Sequence, residues 1–363
     1  MKHNATGFHR VCVITADQRL TDAYKPKGRF GEEDRRYYQT MRGALLSLAD
    51  YEFEFLSDHS RMIPELLKVP PEFVLNFCDT GFRNVAAQEL HLPALLEMLD
   101  IPYSGAPPAC MALCYDKALV RMAADALKIP TPAEYCLEPD QDLEILETLT
   151  FPALIKPNTA DGSLGITRDA MVTDASKARD YLTWMRTELP ERAALVQEYL
   201  PGAEYGIGLI GNPGEGFRVL PPLAVDFDGL PQGLAPILAY ESKTDPASPY
   251  WRSIQFRPAE LDGDVLSKLI QSATRLFTRL QCRDYARFDF RTGGDGMIKL
   301  MEVNPNPAWD CDAKLAIMAG FAGMSYTEYL SAILDAAQRR LDQKSRRDTG
   351  SCQRRLFTSW SPS

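Results

Sequence analysis

The sequence has few histidines, no paired cysteine motif and no long apolar run. Four scattered histidines in 363 residues cannot build a histidine-rich metal site. The eight cysteines form no C-x-x-C pair, so we expect reduced, mainly structural thiols; Cys110 and Cys114 fit one helix face, where core packing is the favoured explanation. No segment reaches the roughly 20 apolar residues of a membrane span, and the N-terminus shows no secretory signal. These absences indicate a cytoplasmic protein.

The charge balance argues against large anionic partners. The chain has 49 acidic and 40 basic side chains, and its formal net charge is −9. Nucleic acids and anionic membranes attract proteins with a positive field, so we expect neither partner. Small phosphates remain compatible with this composition if positive charge is concentrated in one cleft. A homodimer is the default expectation for assembly.

The order of apolar segments predicts an α/β fold with three lobes. Strand-like and helical segments alternate from "RVCVIT" to "IPYSG", which indicates an open, mainly parallel sheet over residues 1–109. Two apolar strands flanking a helical stretch predict a small central lobe over 110–202. Strand signals dominate 203–342 and predict a mainly antiparallel C-terminal lobe. The polar residues 343–363 are predicted to form a flexible tail.

A strand followed by two Asn-Pro pairs marks the first candidate site. "LMEVNPNPAWD" (300–310) places Glu302 and Asn304 at the end of an apolar strand, and the prolines stop further pairing. The preceding strand carries Arg287 and Asp289, and "TGGDG" between the two is a hairpin signal. Because side chains alternate along a strand, each strand presents its two residues on one face. If these faces coincide, Asp289, Glu302 and Asn304 form an incomplete Mg²⁺ cage; otherwise the charges simply face water.

A lysine followed by a glycine-containing loop marks the second candidate site. "ALIKPNTADGSLGIT" (153–167) is a strand ending near Lys156, followed by a loop with Gly162, Ser163 and Gly165. Lysine attracts phosphate oxygens, and glycines let backbone N–H groups approach them closely. The alternative is a mobile surface loop with a solvated lysine.

The glycine pattern at residues 206–211 is explained by a strand and not by a dinucleotide-binding turn. "GIGLIG" (206–211) matches the G-x-G-x-x-G dinucleotide fingerprint, but that motif requires a strand-to-helix turn. The next residues, "NPGEGF", cannot start a helix. We therefore predict a glycine-rich strand and consider a nicotinamide-dependent dehydrogenase unfavoured.

Five motifs in this order resemble the D-alanine–D-alanine ligase branch of the ATP-grasp enzymes. They are "LPALLEMLDIPYSG…LCYDK", the Lys156 strand with its loop, "VQEYLPGAEY", "RFDFR" and "LMEVN", within a resemblance that runs from about Phe77 to about Leu334. For ATP the resemblance implies phosphate contacts from Lys117, Lys156 and the loop of Gly162, Ser163 and Gly165, adenine contacts from Glu198, Tyr199 and Leu200, and a ribose contact from Glu204. For the reacting centre it implies Lys243 at the γ-phosphate, Arg287 at the acyl group, and two Mg²⁺ ions (or Mn²⁺) held by Asp289, Glu302 and Asn304.

The resemblance also implies a reaction. A carboxylate would attack the γ-phosphate of ATP to give an acylphosphate and ADP, and an amine would then attack the acyl carbon and release phosphate. Arg287 would stabilise the oxyanion of the second step. The closing loop would keep water from the acylphosphate. The expected function is an ATP-dependent ligase that forms an amide between a small carboxylate and an amino-acid-like amine.

The amino-acid half of the sequence departs from the family pattern. The early stretch "CDTGFRNVAAQE" lacks the family's histidine, "NPNPAWDCDAKL" replaces its acceptor segment, and Gly162 stands where a serine is usual. These departures predict substrates other than D-alanine. Asn306 can turn towards a ligand, Asp310 or Asp312 could pair with a substrate ammonium, and Lys314 with a carboxylate. Alternatively, both aspartates cap the following helix.

Other functions remain open from the sequence. A true D-alanine–D-alanine ligase of cell-wall synthesis and a catalytically weak ATP-binding regulator are the main alternatives. A carboxylase of the wider superfamily would need a biotinyl carrier, for which there is no signal. The intact set of Lys156, Asp289, Glu302 and Asn304 favours an active enzyme.

Overall fold

A three-stranded parallel sheet organises the first part of the chain. The computed structural model describes the backbone of residues 7–356 and the side chains of residues 7–346. Strands β1 (Arg10–Thr15), β2 (Glu52–Leu56) and β3 (Phe73–Phe77) pair in the order β2-β1-β3. Alternate residues of β1 enter two cores, one packed by α1 (Glu32–Leu46) and the other by α2 (Met62–Lys68) and α3 (His91–Met98). A sheet covered on both faces explains the nearly continuous apolar run of β1.

The second sheet is four-stranded and antiparallel. Helices α4 (Pro108–Tyr115) and α5 (Lys117–Ala126) lead into it from the first sheet. Its strands, in the order β4-β7-β5-β6, are β4 (Glu134–Leu137), β5 (Ala153–Pro157), β6 (Met171–Val172) and β7 (Ala194–Glu198). Helix α6 (Ala175–Glu188) packs its buried face on this sheet, and Asp174 caps it by accepting the Lys177 N–H at 3.0 Å.

The third sheet is antiparallel and has six strands. It comprises β8 (Glu204–Asn212), β9 (Gly216–Val219), β10 (Leu223–Asp226), β11 (Gln255–Pro258), β12 (Tyr285–Thr292) and β13 (Ile298–Asn304). Its main path is β11-β10-β8-β12-β13, with β9 paired to β8. Helices around it are α7 (Glu241–Thr244), α8 (Pro249–Ser253), α9 (Gly263–Arg279), α10 (Lys314–Phe321) and α11 (Tyr326–Leu356). Buried Leu269, Ala273, Leu276 and Phe277 give α9 the apolar stripe of an amphipathic helix.

The predicted α/β fold class is confirmed, and the structure also bears on the predictions for the "GIGLIG" stretch and for the C-terminal tail. The "GIGLIG" stretch lies inside β8, so it is a strand and not a dinucleotide turn. The predicted flexible tail begins at residue 343, but the backbone of α11 is helical to Leu356, and residues 357–363 lie outside the described part. No proline interrupts this polar stretch before Pro362, so side-chain polarity alone does not end the helix. No helix in the described part of the chain has the length and apolarity needed to span a membrane.

Candidate active site

The centre of the site is the β12–β13 hairpin. In its antiparallel register Asp289 lies opposite Glu302, and Arg287 lies opposite Asn304. The two faces coincide, as side-chain alternation predicts. The Asn304 amide nitrogen lies 3.4 Å from a carboxylate oxygen of Asp289 and 3.4 Å from one of Glu302. A register shift follows Asp289, so the convergence is confined to the end of the hairpin that precedes the two Asn-Pro pairs.

Two cations hold the Asp289 carboxylate in its ionised form. The Arg287 guanidinium donates to it from Nε at 2.8 Å and from Nη2 at 3.0 Å. The Lys314 ammonium lies 3.6 Å from Asp289 and 3.5 Å from Glu204. Burial would raise the pKa of Asp289, but the charges of Arg287 and Lys314 outweigh it and hold the pKa well below its ordinary value. Asp289 is therefore an anion at neutral pH.

Two lysines of the central region lie close to this hairpin. Lys156, on β5, is 3% exposed, and Lys117 is the first residue of α5. Desolvation and then the charge of Lys117 lower the pKa of Lys156 to about 8, while the charge of Glu302 opposes the shift. Lys117 donates to the carbonyl of Ala160 at the start of the glycine loop. A pair of mutually repelling ammonium groups in a buried position is an arrangement that a polyphosphate would relieve.

The glycine loop is held in left-handed backbone conformations. The φ angles are +60° at Gly162, +63° at Ser163 and +76° at Gly165. A Cβ atom at Gly162 would lie 2.3 Å from Cδ1 of Tyr24, a residue of the loop after β1. The Tyr24 N–H donates to Oδ1 of Asp22 at 2.7 Å, which helps to fix that loop. The serine implied at 162 by the family resemblance therefore has no room here, because the Tyr24 ring occupies its place.

Positive charge is concentrated around the hairpin although the whole chain is acidic. Lys243 lies on α7. Desolvation of its ammonium and then the charge of Lys314 lower the pKa of Lys243 to about 8, against the charge of Glu302. The cationic residues of the site are Lys117, Lys156, Lys243, Arg287 and Lys314, and its carboxylates include Asp161, Glu204, Asp289 and Glu302. This excess of cations suits a ligand that carries several negative charges.

The segment expected to contact adenine, residues 198–200, is held by contacts with other parts of the chain. Glu198 ends β7, and its carboxylate accepts from the Lys299 ammonium at 2.7 and 2.9 Å and from the Ala133 N–H at 3.1 Å. The Tyr199 N–H donates to the Pro152 carbonyl at 3.2 Å, and Leu200 is buried. Lys299 was not identified from the sequence, because nothing local links it to a residue about a hundred positions away.

Arg291 is the second residue that sequence reasoning missed. It lies opposite Glu204 in the β12–β8 pairing, with Nη1 3.4 Å from the Glu204 carboxylate. Its Nε donates to the Gly202 carbonyl at 3.2 Å, and its guanidinium lies 5.7 Å from the centre of the Tyr199 ring. The alternation that singled out Arg287 and Asp289 extends to Arg291 and could have found it. The buried Glu204 is thus held between Arg291 and Lys314.

A cluster of acids surrounds Lys25 on the other side of the cleft. Burial raises the pKa of Asp310 to about 6 and that of Asp79 to about 7, with Lys25 acting against both shifts. Lys25 itself pairs with Asp34 at 2.6 Å. Asp22 is 1% exposed, and its Oδ2 has no hydrogen-bond partner among the described residues. Of these acids only Asp310 is predicted from the sequence, because Asp22 and Asp79 lie in loops of the first lobe and Asp34 lies in α1.

The remaining substrate candidates are scattered. Asn306 accepts from the Tyr285 hydroxyl at 2.8 Å and donates to Glu89 at 2.7 Å, so it connects two lobes. Asp312 is 63% exposed and lies 3.9 Å from Arg36 of α1. Neither Asp310 nor Asp312 caps α10: the N-cap is Ala313, with no side-chain bond. The capping alternative is wrong, because a turn closed by the Ala313 N–H and the Asp310 carbonyl precedes the helix.

The residues at the hairpin fit a hard divalent cation. Two carboxylates and an amide lie within one small region, which is the donor chemistry of Mg²⁺. The Asn304 amide points its nitrogen at both carboxylates, and rotating the amide would present its oxygen to the same point. In the present arrangement Arg287 and Lys314 balance the charge of Asp289. The donor set of Asp289, Glu302 and Asn304 is therefore chemically suited to Mg²⁺.

Comparisons with known proteins agree with this geometry. A family model described as D-ala D-ala ligase C-terminus matches residues 128–335. The uncharacterised protein y4sG of Sinorhizobium fredii is 31% identical over 69% of this chain and 70% of its own length. The vancomycin/teicoplanin A-type resistance protein VanA of Enterococcus faecium is 25% identical over 77% of this chain and 78% of its own. The structure of D-alanine–D-alanine ligase from Bacillus anthracis complexed with ATP superposes with a TM-score of 0.69 at 20% identity, covering 93% of this chain and 99% of that one.

Proposed function

This chain belongs to the D-alanine–D-alanine ligase family of ATP-grasp enzymes, and we propose that its cleft joins a small carboxylic acid to an amino-acid-like substrate whose ammonium is received by the Asp310 cluster. As a member of this family it is an ATP-dependent carbon–nitrogen ligase. The observation that carries the proposal is the convergence of Asp289, Glu302 and Asn304 beside five cationic side chains.

The first step is phosphoryl transfer. Lys117 and Lys156 hold the phosphates of ATP, and Lys243 approaches the γ-phosphate, which the substrate carboxylate attacks to give an acylphosphate and ADP. Charge is their main contribution, because phosphoryl transfer depends on positioning and electrostatic stabilisation. The loop of Gly162, Ser163 and Gly165 covers the phosphates and excludes water. Glu198, Tyr199 and Leu200 line the adenine site, and Glu204 binds the ribose.

The second step is acyl transfer. The substrate ammonium first loses a proton to solvent, and the resulting amine attacks the acyl carbon, so that the carbonyl oxygen becomes an oxyanion. Collapse of the oxyanion breaks the bond from the acyl carbon to phosphate, and the departing phosphate takes up the second nitrogen proton. Arg287 stabilises the oxyanion; its guanidinium donates to the Asp289 carboxylate of the proposed metal site, which supports this role. Asp289, Glu302 and Asn304 would hold Mg²⁺, which when bound supplies further positive charge for the phosphates.

The substrate side of the cleft favours an ammonium group. Asp22, Asp79 and Asp310 surround a single lysine that is already paired with Asp34, so the cluster carries excess negative charge. A substrate ammonium would relieve this excess and give Asp22 the partner it lacks. Lys314 stays a candidate for a substrate carboxylate, although Glu204 and Asp289 already balance its charge. The exposed Asp312 has no role in this proposal.

The test is phosphate release from ATP across pairs of L- and D-amino acids and related carboxylates, with mass spectrometry of the condensed product. We expect release only with particular pairs, loss of release when divalent ions are chelated, and loss in Glu302→Gln. Glu52→Gln, an exposed residue of β2, is the matched control and should keep full activity. Release with D-alanine as both substrates would indicate a cell-wall ligase instead. ATP binding without release for any pair would indicate a regulator and contradict the proposal.

A further inference from the structure

Three buried thiols converge away from the ligase cleft. Cys110 and Cys114 lie on one face of α4, and Cys282 lies between α9 and β12. The Cys110 sulfur lies 3.9 Å from that of Cys114 and 3.7 Å from that of Cys282. All three sulfurs are within 4.8 Å of one another. Their exposed fractions are 0%, 8% and 3%, so they share one enclosed position.

One charged side chain, Arg283, acts on this otherwise apolar thiol cluster. The neighbouring residues are largely apolar, but the Arg283 guanidinium acts on Cys110 from the next position after Cys282.

We propose that Cys110, Cys114 and Cys282 form a binding site for one Cu(I) ion. Thiolates are the preferred ligands of this soft cation, and Cu(I) accepts three-coordinate geometry. A structural zinc site takes four ligands, and no fourth histidine, cysteine or carboxylate joins the cluster among the described residues. Binding would form three Cu–S bonds and release one proton from each thiol to solvent. Arg283 would offset part of the resulting negative charge.

An ion at this position would link two segments that lead into the ligase site. Cys114 precedes Lys117, the first residue of α5, and Cys282 precedes β12, which carries Arg287. Binding to the folded chain alone would therefore raise its thermal stability. The inference is independent of the proposed ligase substrates, because none of the three thiols touches the cleft residues assigned above.

The experiment uses the full chain, reduced and kept anaerobic. Cu(I) is added in excess, and a competing bathocuproine chelator then removes weakly held metal. We expect about one equivalent to remain, with ultraviolet thiolate-to-copper charge transfer and a sulfur-only first shell in copper-edge X-ray absorption. The X-ray measurement uses the unmodified protein, so it does not depend on how any variant folds.

Variants identify the ligands. Cys282→Ala and Cys110→Ala should lose the retained copper and the rise in melting temperature, whereas Cys12→Ala, a buried thiol of β1 outside the cluster, should keep both. Equal retention in all variants would mean adventitious binding and would overturn the proposal. Complete removal by the chelator from the unmodified protein, or nitrogen and oxygen ligands in the X-ray spectrum, would overturn it as well.

Discussion

Replacing Gly162 by alanine tests the packing of the glycine loop on the first lobe. The added methyl group would stand 2.3 Å from Cδ1 and 2.7 Å from Cε1 of Tyr24, far inside ordinary contact. The backbone there has φ +60°, which side-chain-bearing residues rarely adopt. The substitution therefore brings two separate costs, a collision with the ring and a conformational cost of the backbone.

The free-energy cost of each effect follows from general magnitudes. Forcing an extra methyl group into a packed position costs roughly 2 kcal/mol, the middle of the usual range. A left-handed conformation adds about 1 kcal/mol for a residue with a Cβ atom. The total of about 3 kcal/mol corresponds to about a 150-fold smaller population of the described loop conformation. We expect kcat/KM for ATP to fall by about that factor, since the loop must cover the phosphates.

The Tyr24→Ala variant separates the two costs. Without the ring, Gly162→Ala should cost only the backbone share, about 1 kcal/mol or about fivefold in kcat/KM, so the coupling between the two sites is about 2 kcal/mol. Gly214→Ala is the matched control: it has φ +89° with nothing within 4 Å of the added methyl group, and it should leave ATP turnover unchanged. The reasoning fails if Gly162→Ala costs as much in the Tyr24→Ala background as in the unmodified chain.

Further outcomes are expected from the surroundings of Lys156, Arg291 and Asp310. Because the pKa values of Lys156 and Lys243 are both about 8, ATP affinity should fall between about pH 7 and about pH 9 as their charges are lost. Lys156→Arg should make this profile shallower, leaving the part that Lys243 contributes, and an unchanged profile would refute the phosphate role of Lys156. From about pH 8 up to the ordinary lysine pKa the free protein should gain stability, since over that range the unfolded chain keeps the proton that the folded Lys156 has lost and so binds more protons. Arg291→Met breaks a buried ion pair with Glu204 and should lower the free energy of unfolding, measured in urea, by roughly 3 kcal/mol. A loss below about 1 kcal/mol would show that Lys314 alone balances the charge of Glu204. Asp310→Asn should raise KM for the amine substrate and leave KM for ATP unchanged. The unmodified enzyme should lose amine affinity below about pH 6 as Asp310 is protonated. Equal effects of the substitution on both substrates would refute the role of Asp310.

The ATP half of the site was accessible from the sequence because its signals are local. Alternation along two adjacent strands placed Asp289 and Glu302 together, and a hairpin of five loop residues fixed their register. The rejection of "GIGLIG" rested on the residues that follow it, and β8 confirms that reasoning. The domain boundaries and the roles of individual residues stay predictions, since the fold alone does not test them.

The rest of the site could not be predicted from the sequence, because it depends on contacts between segments that are far apart in the chain. Lys299 meets Glu198 across about a hundred residues, and the acids around Asp310 come from loops after β1 and β3. The helix-capping alternative failed for a related reason. Asp312 has the residue type of a cap, but a turn ahead of α10 moves the N-cap to Ala313. The residue type favoured Asp312 as the N-cap, but the path of the backbone places Ala313 at that position.

Tyr240 shows why the two halves of the cleft cannot be treated separately. Its backbone N–H donates to the Ile166 carbonyl at 2.7 Å, next to the glycine loop, and its hydroxyl donates to the Ala23 carbonyl beside Tyr24. The glycine loop, the loop after β1 and the Lys243 segment therefore pack as one unit. Only a glycine at 162 fits this unit, because the Tyr24 ring fills the adjacent space. A larger residue at 162 would therefore have to displace the loop after β1 as well as the glycine loop.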